Sequence, residues 1–172
     1  MTVLIAKPAL NLREELKKPS PDRRKVLQHV HYQTGEVATG TTISPYDDTI
    51  PQNTEGTQFL SLAITPTSAT SILHIEANIH VSPVSAYIMT AALFVGATPD
   101  ALASSMMKPT ISYSLTPMFI AHEVVAGVTS ELTFKVRCGA HAATATTING
   151  VNSARKHGGV MVSSITITEY AA

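Results

Sequence analysis

Residues 73–81 read LHIEANIHV, and their strict alternation decides the fold class. Successive side chains of a β-strand point to opposite faces of the sheet, so the apolar and polar residues of this stretch would separate onto two faces. The apolar residues are Leu73, Ile75, Ala77, Ile79 and Val81, and the polar ones are His74, Glu76, Asn78 and His80. The pattern predicts a strand with one face in the core and the other in water.

The histidines of this stretch raise the alternative of a metal site. His74 and His80 would stand about 20 Å apart at roughly 3.3 Å per residue, so they cannot share one ion. His29 and His31 would share a face of an earlier strand, but a catalytic zinc site takes at least three protein ligands. A trimer could supply them on a threefold axis. The preferred interpretation is a polar strand face with no metal and no cofactor.

The composition favours an all-β domain with an aliphatic core. The chain has 172 residues, of which 14% are charged, against about 25% in an average protein. It contains 22 Thr, 15 Ser and no Trp. Thr is enriched in strands. The single cysteine, Cys138, cannot form an intrachain disulfide. The fold must therefore be held by burial of aliphatic side chains.

About eight segments have the pattern of strands, which predicts an antiparallel β-sandwich of the jelly-roll type. They are 25–33, 57–70, 71–82, 85–96, 110–127 (interrupted by a turn at Pro117), 130–140, 143–150 (a short edge strand) and 158–170. Segment 85–96 is almost continuously apolar, which predicts burial on both faces. Segment 98–106 is predicted to form a helical turn. In segment 130–140 the residues predicted to point inward are Leu132, Phe134, Val136 and Cys138.

The first 24 residues differ in kind from residues 25–172, which form the predicted sandwich domain. Residues 1–30 carry seven of the twelve Lys and Arg and a net charge of +4, so the remainder carries −4. The arm contains LNLREELKK, where the residues expected to contact a partner are Leu10, Leu12, Arg13 and Leu16. The spacing of the leucines favours an arm that folds against a partner. The alternative is a flexible tail.

Motifs of catalysis, nucleic-acid binding and membrane insertion do not emerge from the sequence. Cys138 falls on the apolar side of its strand, as a core residue would, rather than as a nucleophile. Asp47, Asp48 and Glu55 lie in a turn-rich segment, where capping of turns is favoured over calcium binding. The expectation is a non-enzymatic protein made in the host cytoplasm, without a signal peptide, a membrane segment or a nucleic-acid partner.

Five segments occur in an order that resembles a domain of tailed-bacteriophage structural proteins, of the tail-fibre, head-fibre or capsid-decorating type. They are KVLQHVHYQTGEV, SLAITPTSATSILHIEANIHVS, AALFVGATPDALA, FKVRCGA and NGVNSARKHGGVMVSSITITEY, and they cover about residues 25–170. The resemblance implies a jelly-roll-like sandwich that forms a homotrimer. LNLREEL likewise resembles segments that anchor such trimers to a capsid or tail.

The sequence therefore predicts a structural protein of a virion, attached through its arm as a head fibre or capsid decoration. The alternative is a tail-fibre tip or receptor-binding protein that recognises a host-surface glycan. A third possibility, a capsular depolymerase, would need a pair of carboxylates in a shared cleft.

Overall fold

The computed structural model describes residues 24–172, and the predicted arm before Arg24 lies outside them. These residues form twelve antiparallel strands and one short 3₁₀ helix, His157–Gly159. In chain order the strands are Val26–Thr34 (β1), Ala38–Gly40 (β2), Thr57–Ile64 (β3), Ile72–Pro83 (β4), Met89–Val95 (β5), Ala103–Met107 (β6), Thr116–Val125 (β7), Leu132–Ala140 (β8), Thr146–Ile148 (β9), Gly150–Val151 (β10), Ala154–Arg155 (β11) and Ser163–Tyr170 (β12).

The long strands form two packed sheets. One has the order β1-β12-β4-β7, extended by the short strands β9 and β2, and the other has the order β3-β8-β5-β6. Most connections between these long strands, including β3 to β4, β4 to β5 and β7 to β8, cross from one sheet to the other. This is the topology of a jelly roll. The predicted all-β antiparallel sandwich is confirmed.

Strand β4 lies at the centre of the first sheet because both of its edges are paired. It hydrogen-bonds to β12 on one side and to β7 on the other. Its core-facing residues Leu73, Ile75, Ile79 and Val81 are fully buried. They face the second sheet, where Phe134 and Val136 of β8 are also fully buried, and Leu132 packs half-buried at the end of the strand.

Strand β5 is buried on both faces, as its apolar run predicts. Its residues Ala91 and Leu93 face the core, whereas Ala92 and Phe94 point the other way and are still buried. The cover over this outer face is the loop 41–56, where Ser44 donates its backbone N–H to the carbonyl of Ala140 at 2.9 Å. The outer face of β5 is therefore covered by another segment of the same chain.

Four local predictions from the sequence are wrong. Residues 103–107 form strand β6, because pairing with β5 prevails over the weak helical tendency of 98–106. Pro117 lies within β7 and not in a turn; its missing N–H is tolerated because β7 is an edge strand.

The other two errors concern short strands near the end of the chain. The predicted edge strand 143–150 contains β9, which is fully buried between β4 and β2. Its second partner, Ala38–Gly40, lies in a segment with the composition of a loop. The last strand is shorter than predicted, because residues 157–159 form the 3₁₀ helix before β12 begins at Ser163.

Candidate functional surfaces

The polar residues of β4 lie on the outer face of the first sheet. Glu76 and Asn78 are exposed, and His74 and His80 are half-buried. The register places His74 beside Thr168 of β12 and Glu123 of β7. The alternation of the sequence therefore separates a core face from an outer face.

Charged groups on this outer face form a short chain of contacts. The Nη1 of Arg24 donates to Oε2 of Glu123 at 3.0 Å. The other oxygen of Glu123 lies 3.4 Å from Nδ1 of His74, whose Nε2 is 3.6 Å from Oε1 of Glu76. The hydrogen bond from Arg24 lowers the pKa of Glu123 below its usual value. The beginning of the described chain is thus tied to the edge strand β7.

The histidines are distributed along the sheet and do not converge. His29 and His31 of β1 are exposed, and their Nδ1 atoms lie 3.0 and 2.8 Å from the hydroxyls of Thr168 and Thr166. His80 contacts the carbonyl of Val162 at 3.0 Å through Nδ1. Within residues 24–172, no group of three or more His, Cys, Asp or Glu has the arrangement of a metal site.

Large apolar side chains are exposed on two neighbouring edge strands and on the connection between them. The register places Met106 on the outer face of the second sheet, and Phe119 and Val125 on the outer face of the first. Strands β6 and β7 lie beside each other, each at the edge of its sheet. The exposed residues on these strands and their connection are 46–67% accessible: Met106, Ile111, Tyr113, Phe119 and Val125. We call this surface the β6–β7 edge. Unpaired edge strands and exposed apolar groups together favour association with another protein surface.

A completely buried carboxylate, Glu169, joins three parts of the chain. It lies on the core-facing side of β12 but near the end of the sandwich, under Gln28 of β1 and the turn after β3. It accepts hydrogen bonds from Nε2 of Gln28 at 2.5 Å and from the backbone N–H and hydroxyl of Thr67 at 2.8 and 2.7 Å. We call this arrangement the Glu169 clasp.

The clasp favours the ionised form of Glu169. Burial alone would raise the pKa of this carboxyl, but the hydroxyl of Ser71 beside it and the bonds from Gln28 and Thr67 lower it to about 2. The Ser71 hydroxyl makes no hydrogen bond of good geometry, so Gln28 and Thr67 are the firm donors. Alternation in the stretch ITITEY places Glu169 on the same strand face as Ile165 and Ile167, but it does not reveal the donors that keep the carboxylate charged there.

The remaining candidate groups have structural partners. Asp47 accepts from the backbone N–H and hydroxyl of Thr49 at 2.9 and 2.6 Å, and the hydroxyl bond is the main reason that the pKa of Asp47 is lowered. Glu55 accepts from the N–H of Gln52 at 2.9 Å. Both carboxylates hold turns. Cys138 is buried, and burial raises its thiol pKa to about 12.

The predicted anchoring residues Leu10, Leu12, Arg13 and Leu16 lie outside the described residues. Their role stays a prediction. In the described part of the chain, no helix combines the length and hydropathy required to span a membrane.

Comparison with known proteins yields distant structural similarities. No family model and no curated protein matches the chain. Latent PorU from Porphyromonas gingivalis matches at 10% identity and a TM-score of 0.39, over 87% of this chain and 13% of PorU. The structure of the infectious bursal disease virus Gx strain matches at 10% identity and a TM-score of 0.37, over 84% of this chain and 38% of the matched chain. The VP2 subviral particle of that virus matches at 8% identity and a TM-score of 0.36, over 86% of this chain and 39% of the matched chain. The chain thus spans less than half of each of these proteins.

Proposed function

We propose that this chain is a non-enzymatic structural protein of a tailed-phage virion, a homotrimer attached to the capsid or tail through residues 1–24. The observation that carries the proposal is the β6–β7 edge, where two sheet edges and five large apolar side chains are left exposed in one chain. Contact with other copies would remove this surface from water. The ordered resemblance of residues 25–170 to phage head-fibre and capsid-decorating domains supports the same role.

The oligomeric state tests the first part of the proposal. Light scattering coupled to size exclusion should give a mass near three times the 18.3 kDa of one chain. The double variant Phe119→Ser, Val125→Ser should lower that mass because it makes the β6–β7 edge polar. The matched control is Val160→Ser, since Val160 is 81% exposed but lies in the connection before β12. A wild-type mass near 18.3 kDa at micromolar concentration would exclude the homotrimer.

Deletion of residues 1–24 tests the attachment. The body should stay folded and trimeric. Within residues 24–172 the deletion removes Arg24 and its exposed ion pair with Glu123, and the loss of such a pair costs only about 0–1 kcal/mol. The shortened protein should fail to bind particles that lack the wild-type copy. Undiminished binding to such particles would place the attachment surface in the sandwich.

Glycan recognition at a fibre tip is the second candidate function, and one observation favours it. Tyr46 is 58% exposed and packs edge-on against His141 at 6.4 Å between ring centroids, with Tyr87 on His141 at 5.1 Å. Exposed aromatic rings are common platforms for sugars. Tyr46→Ala should abolish binding to host cells if this function is correct. Equal binding by wild type and variant would count against it.

A further inference from the structure

Two cationic side chains of β8 lie side by side over the outer face of the second sheet. Lys135 and Arg137 are two residues apart and therefore project from the same side of the strand, with their Cα atoms about 7 Å apart. Both are half-buried. Their position near the loop 41–56 limits the directions in which the charged groups can point.

Both cations are held by backbone carbonyls and retain unused donors. Lys135 donates from Nζ to the carbonyl of Gly96 at 2.9 Å. Arg137 donates from Nε to Glu55 and from Nη2 to Gly56, each to the carbonyl at 2.8 Å. An ammonium has three N–H groups and a guanidinium five, so these bonds leave two donors on Lys135 and three on Arg137. Carbonyl oxygens orient the cations but do not cancel their charge.

Carboxylates of the described residues do not neutralise this pair. The ion pairs within residues 24–172 involve Arg24, His74, Glu76 and Glu123. Two acidic side chains of the loops beside the hollow both accept from Gln52: Glu55 from its N–H and Asp100 from its side-chain amide, each at 2.9 Å. Two neighbouring positive charges are therefore oriented without a negative partner.

The two cations border a hollow of about 430 Å³, which we call the cationic hollow. Its other walls combine polar and apolar groups: Gln52, Asn53, Thr54, Ala97 and Pro99. The side-chain amide of Asn53 is fixed by donation to the carbonyl of Thr98 at 3.2 Å. The volume falls in the range of about 300–1,000 Å³ that small-molecule sites usually have.

We propose that the cationic hollow binds the anionic group, phosphate or carboxylate, of a sugar-sized molecule. The guanidinium of Arg137 offers paired N–H groups that fit two oxygens of such an anion, and Lys135 adds a second positive charge with two N–H groups left to donate. Thr54 and Asn53 supply polar atoms for hydroxyl groups, and Pro99 supplies an apolar surface for a sugar ring. The hollow is built within one chain, so it stands apart from the proposed trimer and its attachment.

A purely structural role for the cations makes a different prediction. In the register of β5 and β8, Lys135 lies opposite Phe94 and Arg137 lies opposite Ala92. The aliphatic stems of the two cations therefore also flank these apolar residues. If covering these residues were their only role, the wild-type protein would not bind the anion. Methionine in place of either cation would then leave the titration unchanged.

Titrations followed by ¹⁵N-correlated NMR spectra of the full chain test the proposal at constant ionic strength. The probes are glucose 6-phosphate, glucuronate and inorganic phosphate, with glucose as the neutral control. We expect saturable shifts of the Asn53, Ala97 and Lys135 amides with one or both anionic sugars and none with glucose. Saturation by inorganic phosphate as well would show that the anion alone suffices.

Variants locate the binding. Lys135→Met and Arg137→Met should each weaken binding at least tenfold, whereas Lys135→Arg, which keeps the charge, should retain it within about threefold. Lys156→Met is the matched control, since Lys156 is exposed and does not line the cationic hollow. Thermal unfolding of each variant checks that it is folded. The proposal is overturned if neither anionic sugar gives a saturable shift, or if folded Met variants bind as the wild type does.

Discussion

Replacement of Glu169 by Gln is expected to destabilise the sandwich at neutral pH by about 2–3 kcal/mol. The change keeps the size of the side chain but removes the charge. It also places an NH₂ group against either Gln28 or Thr67, both of which donate to the wild-type carboxylate. A hydrogen bond to a charged group contributes about 1.5–3 kcal/mol, and one or more of the three present would be weakened or lost.

The pKa gives an independent magnitude. The pKa of Glu169 falls from 4.5 to about 2 in the folded chain, and each unit corresponds to 1.36 kcal/mol, so the ionised clasp contributes up to about 3 kcal/mol.

The sign of the pH dependence follows from the lowered pKa. A carboxyl with a lower pKa in the folded state stabilises that state fully above the unfolded pKa, here about 4.5, and loses the contribution as the pH falls through about 2. The free-energy difference between wild type and Glu169→Gln should therefore be largest near pH 7 and should shrink between pH 4.5 and pH 2.

Urea unfolding at one protein concentration, repeated from pH 7 to pH 2, would measure this difference. Glu131→Gln is the control, because Glu131 is exposed at the start of β8, and it should change the stability by no more than about 0.5 kcal/mol. A difference below 0.5 kcal/mol for Glu169→Gln at pH 7, or one that does not vary with pH, would show that the ionised carboxylate does not stabilise the fold.

Two further predictions concern the core. Ile75→Ala or Ile79→Ala should lower the free energy of unfolding, measured in urea, by about 2–5 kcal/mol because both side chains are fully buried. His74→Gln, on the opposite face, should lower it by about 0.5 kcal/mol or less. Equal losses would contradict the division of the strand into two faces. The thiol of Cys138, buried and with a pKa raised to about 12, should not react with a disulfide reagent at pH 8 until the protein is unfolded, and rapid labelling of the native chain would show that the site opens.

The alternation in 71–82 and 130–140 was sufficient to predict both strands and the faces of their residues. Side-chain direction in a strand is a local property with a period of two residues, so it can be read from adjacent letters. The continuous apolar run of β5 indicated burial on both faces for the same reason. These local patterns were enough to predict an all-β sandwich.

Strand neighbours were decided only in the tertiary structure. Strands β2, β6 and β9 have three to five residues each, too few for a clear period. Strands β2 and β9 exist because partners distant in the sequence pair with them, and β6 exists because it pairs with the preceding strand β5. Pro117 could enter a strand because only one side of β7 is paired.

The candidate sites also depend on contacts between segments that are distant in the sequence. Alternation places Glu169 on the face of β12 that carries Ile165 and Ile167, but its hydrogen-bond donors Gln28 and Thr67 lie 141 and 102 positions away in the sequence. Lys135 and Arg137 alternate with the inward residues Phe134 and Val136, so the sequence places them on the outer side of β8. The loops that turn this side into a hollow come from residues 52–56 and 96–99. The sequence determines which way a strand residue points, whereas what lies opposite it depends on contacts between distant segments, which no local pattern encodes.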